Sequence, residues 1–126
     1  MVSLSELLCV VAGGALGSCL RFLVGRFTEQ FFPSLELPAA TLLVNLVGCL
    51  AIGVIAALSA RGATSHEARL FIVTGILGGF TTFSAFSLET ASLLRSGHFF
   101  VAGSYIVSSV VGGITAVMIG LRILER

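Results

Sequence analysis

The sequence predicts an all-α integral membrane protein with four transmembrane helices per chain, on three observations. Hydrophobic residues make up 56% of the chain and charged residues only 10%, whereas a typical soluble domain carries about 25% charge. So few charges cannot cover a water-facing surface of this size, so lipid must cover it. The charges also cut the chain into four apolar runs, and the connections between these runs are short and rich in turn residues. Consecutive helices are therefore expected to be antiparallel neighbours within one transmembrane domain of residues 1–126.

The second and fourth runs are the clearest. Leu37–Ala60 is uncharged for 24 residues and Phe99–Leu121 for 23, enough for a hydrocarbon core of roughly 30 Å at about 1.5 Å per residue. They predict helices over about 37–60 and 99–123. The third run, Leu70–Leu88, is uncharged for 19 residues and its apolar character resumes after Glu89, which predicts a helix over about 69–94. The first run, Leu7–Leu20, has only 14 uncharged residues. To cross, it must continue past Arg21, over about 4–26, leaving Arg21 near a helix end where it snorkels or faces a water-filled entrance. The N-terminus lacks the positive segment of a cleaved leader, so the first run is expected to be part of the working protein.

Several function classes are excluded at this stage. The net charge is +1, from seven arginines and six glutamates with no lysine or aspartate; this is not the basic patch that a nucleic acid requires. Cys9, Cys19 and Cys49 fall inside apolar runs in no metal-ligand spacing and read as small packing residues. His66 and His98 lie in connections and read as solvated. There is no Ser/His/Asp or Cys/His set and no phosphate-cradling loop, so nothing points to an enzyme.

Small residues recur at the spacing that lets helices approach closely in lipid: Gly13 with Gly17, and Gly112, Ala116 and Gly120. The arginines are divided almost evenly. The N-terminus, second connection and C-terminus share one side of the membrane and carry Arg61, Arg69, Arg122 and Arg126. The other side carries Arg26 and Arg95, with Arg21 beside them. So weak a bias does not fix orientation by the positive-inside rule. Two oppositely inserted copies are thus expected to pair as an antiparallel, dual-topology homodimer.

The third run contains Gly78-Gly79-Phe80-Thr81-Thr82-Phe83-Ser84-Ala85-Phe86-Ser87-Leu88-Glu89. Paired glycines followed by paired threonines are poor helix formers, and the third helix is expected to break near its middle. The freed carbonyls would then need protein, water or an ion; continuous tight packing is the alternative. A helix resuming at Phe83 brings Phe83, Phe86, Ser87 and Thr90 onto one face. Two such Phe are ordinary core residues, but ring edges carry positive potential and also suit an anion. Asn45 offers two amide donors, with Thr41 one turn earlier on the same face; an interhelical hydrogen bond is its other use. Tyr105, Ser108, Ser109 and Gly112 form a polar stripe on the fourth run. Glu89 is the carboxylate well inside a span, which makes it a functional candidate. Neutral donors and ring edges, without a mid-membrane Lys or Arg, suit a small anion that must enter and leave quickly.

Gly13–Gly17 with Arg21, TLLVNLVG from Thr41 to Gly48, and GGFTTFSAFSLE from Gly78 to Glu89 together resemble the Fluc, or CrcB-type, family of bacterial fluoride channels. The resemblance covers essentially the whole chain. It implies a passive fluoride-selective channel that exports F⁻ across the bacterial inner membrane and protects against fluoride toxicity. It implies antiparallel homodimers with two pores and a structural Na⁺ at the dimer interface, held by the carbonyls of Gly78 and Thr81 from both subunits. It assigns the pore to Asn45, Phe83, Phe86 and Tyr105, with Ser84, Ser87 and Glu89 along a polar track; Thr82, Ser109 and Arg21 complete the expected set. This chain departs from relatives at Ala85, which replaces a Thr, and at Gly113 and Val117, where relatives place Ser and Thr. Ser109 or Thr115 is expected to substitute. The runner-up class is a small dual-topology, proton-coupled multidrug exporter, which requires a titrating carboxylate in the first helix; Glu6 lies too near its start.

Overall fold

The computed structural model describes residues 2–124. Four helical segments in it are long and apolar enough to cross a membrane: Leu4–Phe31, Ala39–Ala60, His66–Arg95 and Phe99–Ile123. No strand occurs among the described residues. Arg126, counted above in the charge balance, lies outside them.

Helix α1, Leu4–Phe31, begins with a capping box. Ser3 accepts from the Glu6 backbone N–H at 3.2 Å, and Glu6 accepts from the Ser3 N–H at 2.7 Å. The second Glu6 oxygen meets His66 Nε2 at 2.9 Å, tying the start of α1 to the start of the third span at one end of the molecule. A carboxylate so engaged in a cap is not a translocating group inside the first helix.

α1 runs on to Phe31, past the expected end near residue 26. Pro33 sets the stop, because the residue before a proline is pushed out of the helical region. Arg21 therefore sits well inside the helix, which corrects its expected place near a helix end. Helix α2, Ala39–Ala60, matches its uncharged run closely, and Gly62, at φ +69°, closes the turn that follows.

The third span starts at His66, earlier than the charge pattern indicates, because Ser65 caps it by accepting from the Ala68 N–H at 3.1 Å. Its first part, α3 (residues 66–80), contains a π-wound stretch over Leu70–Leu77 that α-helical periodicity does not anticipate. Thr81 and Thr82 are extended, with φ/ψ of −86°/159° and −154°/119°. Helix α4, Phe83–Arg95, follows, and the Thr82 hydroxyl caps it by accepting from the Ala85 N–H at 3.2 Å. Gly78 keeps helical dihedrals, with φ −62° and ψ −39°, so the extended residues are the threonines. Helix α5 is Phe99–Ile123.

Close backbone approach organises the packing into two helix pairs, α1 with α3 and α2 with α5. A Cβ on Gly13 or Gly17 would overlap the carbonyls of Phe71 or Ile76, and one on Gly79 would lie 2.5 Å from the Gly14 carbonyl. Gly53 and Gly120 do the same for α2 and α5, where a Cβ on Gly53 would lie 3.1 Å from the Gly120 Cα. Small residues are required here because hydrophobicity supplies no drive between helices already in lipid. The buried centre is Leu93, Ala102 and Tyr105, with Leu37, Leu42, Phe86 and Val101 packed on it.

Candidate anion site

The site forms where the extended dipeptide lies against α2. Asn45 Oδ1 accepts from the Thr82 N–H at 2.8 Å, and Asn45 Nδ2 donates to the Thr82 carbonyl at 3.1 Å. The side-chain amide thus pairs with both backbone groups of one extended residue, as a neighbouring strand would. One Nδ2 hydrogen remains.

A cavity of about 390 Å³ opens here, lined by residues that include Asn45, Cys49, Thr82, Phe83, Phe86 and Ser109. None of its lining residues is charged. The Ser109 hydroxyl is buried without a hydrogen-bond partner, a costly state for a polar group unless a ligand or water completes it. Gly113, one turn on, leaves room that Cys49 occupies: a Cβ there would lie 3.3 Å from the Cys49 sulfur.

From this cavity a row of aromatic rings leads toward the α1–α2 end. The Phe83 and Phe86 centroids are 5.6 Å apart and tilted by 43°; Phe86 and Tyr105 are 5.1 Å apart at 58°. Tyr105 is fully buried and donates its hydroxyl to Glu89 Oε2 at 2.7 Å, while Thr41 donates to Glu89 Oε1 at the same distance. Both carboxylate oxygens are therefore used by neutral donors from α2 and α5. Glu89 also lines a second cavity of about 390 Å³, with Thr28, Glu29 and Phe32, at the α1–α2 connection.

The expected site residues are not all in one place. Asn45, Thr82, Phe83, Phe86 and Ser109 share the first cavity. Tyr105 and Glu89 lie at the far end of the ring row. The Ser84 hydroxyl contacts the Thr82 hydroxyl at 3.2 Å, and Ser87 donates to the Phe83 carbonyl at 2.9 Å; both residues are exposed and line neither cavity. Arg21 lines a separate pocket of about 290 Å³ with Thr41, Thr82 and Ala85. Thr41 was visible in the sequence as the neighbour of Asn45 one turn back, but its bond to Glu89 was not. Cys49 carried no signal beyond being small, and Gly48 none beyond closing the TLLVNLVG motif.

The Gly78 and Thr81 carbonyls have lost their helical donors. In an unbroken helix the Gly78 carbonyl would accept from the Thr82 N–H, which instead serves Asn45. The Thr81 carbonyl would accept from the Ala85 N–H, which instead serves the Thr82 hydroxyl. Among the described residues no His, Cys, Asp or Glu cluster offers a metal site.

Four apolar spans, with an uncharged cavity between α2, the third span and α5, fit a multi-pass membrane protein of the channel or transporter kind. Residues 8–121 match the family described as "CrcB-like protein, Camphor Resistance (CrcB)". Three relatives are each named "Fluoride-specific ion channel FluC". The one from Hyphomonas neptunium is 52% identical over 122 residues, 94% of each chain. The one from Chloroflexus aurantiacus is 45% identical over 119 residues, again 94% of each chain. The one from Methylobacillus flagellatus is 40% identical over 121 residues, 95% of this chain and 94% of its own. The chain belongs to the CrcB family and is a multi-pass bacterial membrane protein.

Proposed function

We propose that this protein is a passive, fluoride-selective channel of the bacterial inner membrane, and not an enzyme. Family membership supports the ion, and the observation that carries the mechanism is the uncharged cavity holding an unpartnered Ser109 hydroxyl. A small anion entering it meets that hydroxyl, the remaining Asn45 amide hydrogen and the edges of Phe83 and Phe86. None is a full charge, so binding is weak enough for release. The ring row then leads to the Glu89 cavity. Ser84 and Ser87 face outward, and Arg21 stands in its own pocket beside Thr41. HF enters cells by diffusion and dissociates inside, so a passive path for F⁻ suffices for export and protection.

The working unit is an antiparallel pair of oppositely inserted chains. The even division of arginines supports this, as does Phe83, which lines the cavity yet is 79% exposed in one chain. A second copy would cover it. The break in the third span would place the Gly78 and Thr81 carbonyls of both copies around a structural Na⁺. The diverted donors described above fit that reading, in which the ion fixes the packing of the two chains.

Purified protein in fluoride-loaded liposomes tests the function, with a fluoride electrode outside and an ionophore to balance charge. Fluoride should leave rapidly while chloride stays. No fluoride efflux above protein-free liposomes, or proton-driven uptake of a dye cation instead, would overturn it.

A further inference from the structure

We propose that Asn45 and Gly48 form a dock on α2 that holds the extended Thr81–Thr82 dipeptide, and that Asn45 acts on conduction as a positioning residue through Thr82 as well as by any contact with the ion. The proposal rests on reading the adjoining cavity as the fluoride path. The two dock residues lie three apart on α2 and so share a face. Asn45 takes both the N–H and the carbonyl of Thr82. Gly48 takes the Thr81 methyl: a Cβ at Gly48 would overlap Thr81 Cγ2. Thr81 cannot simply rotate away, because its hydroxyl donates to the Leu77 carbonyl at 2.9 Å.

Three consequences follow from holding these two residues. The Thr81–Thr82 peptide is trans, so its carbonyl points opposite to its N–H. With that N–H aimed at Asn45, the Thr81 carbonyl faces away from α2. Thr82, fixed at its backbone, is placed to cap α4 through its hydroxyl. Phe83, the first residue of α4, then takes its position at the cavity from a dipeptide clamped on both sides. A primary carboxamide of this length is required: aspartate lacks the donor for the Thr82 carbonyl, and glutamine is one methylene too long.

Two double-mutant cycles in the liposome assay test the dock. The first combines Gly48→Ala with Thr81→Ser, which keeps the hydroxyl and deletes the methyl. Gly48→Ala should lower flux about ten-fold when Thr81 is present, the order expected for one forced methyl overlap, and less than about two-fold in the Thr81→Ser background. The second combines Asn45→Ala with replacement of Thr82 by its α-hydroxy acid, which exchanges the N–H for an ester oxygen. The ester should lower flux roughly three- to ten-fold in the parent, as loss of one hydrogen bond predicts, and have a much smaller effect once Asn45 is alanine. Independent, multiplying effects in both cycles would overturn the dock and leave Asn45 as an ion contact only. If Gly48→Ala does not fold, the ester cycle decides alone. A parent protein that conducts no fluoride fails the channel reading itself, whereas a conducting parent with uncoupled cycles fails only the dock.

Discussion

Individual side chains in this site act through electrostatics too weak to need charge. Phe83→Ile and Phe86→Ile keep apolar bulk but delete the positive ring edges. Each should reduce fluoride efflux by roughly two- to ten-fold without altering elution on gel filtration, and Tyr at either position should do better than Ile. Ser109 gives a cleaner separation of folding from flux. Its hydroxyl has no partner, so Ser109→Ala removes a buried polar atom that nothing in the chain satisfies. Thermal unfolding in detergent should then be unchanged or shifted upward, while efflux falls; a fall in both would show that the hydroxyl is structural. Part of this scale was legible in the sequence, because Asn45 is an uncommon choice for a lipid-embedded run, whereas Phe83 and Phe86 taken alone read as ordinary core. What was not legible is how their donors are spent. Asn45 shows two amide hydrogens in the sequence, and one of them is committed to Thr82. Tyr105 reads as a free hydroxyl donor, but its hydrogen bond is spent on Glu89.

At the scale of helices, the distinction that matters is which glycines face a neighbour. Gly13 and Gly17 meet the backbone of α3, whereas a Cβ on Gly14 would meet nothing within 4 Å in the chain. Gly17→Ala should therefore lower the melting temperature and Gly14→Ala should not, since alanine favours a helix over glycine by about 0.8–1.0 kcal/mol. Equal effects of the two substitutions, read by thermal unfolding of the purified proteins, would show that the crossing is looser than described. The GxxxG spacing marks Gly13 with Gly17 and equally Gly75 with Gly79, whereas Gly53 has no glycine four residues away and is as closely packed. Element ends were misplaced where a local cap outweighed charge. Ser65 starts the third span ahead of Arg69, and Pro33 rather than Arg26 ends α1. The π winding of Leu70–Leu77 had no sequence signal, because an apolar run reads alike in either helix type.

For the whole molecule, sidedness is the open variable. The Glu6–His66 contact places the N-terminus and the second connection at one end, as alternation of four spans requires, and the arginines barely distinguish that end from the other. C-terminal tags should therefore report both sides of the membrane in similar amounts. Two or three added lysines at one terminus should skew that ratio and reduce activity by removing half of each pair. Tags found on one side only would refute the antiparallel assembly. The proposed pairing bears on a property of the chain taken alone. Within its most apolar windows only 11–22% of residues are buried by the chain itself, and large side chains such as Phe100, Ile114 and Val107 lie open. In the pair proposed above, a native state completed by a second molecule would obey mass action. Its resistance to unfolding then depends on how many copies share a given area of bilayer, and diluting the protein with lipid should lower its melting point with no change in sequence, temperature or salt.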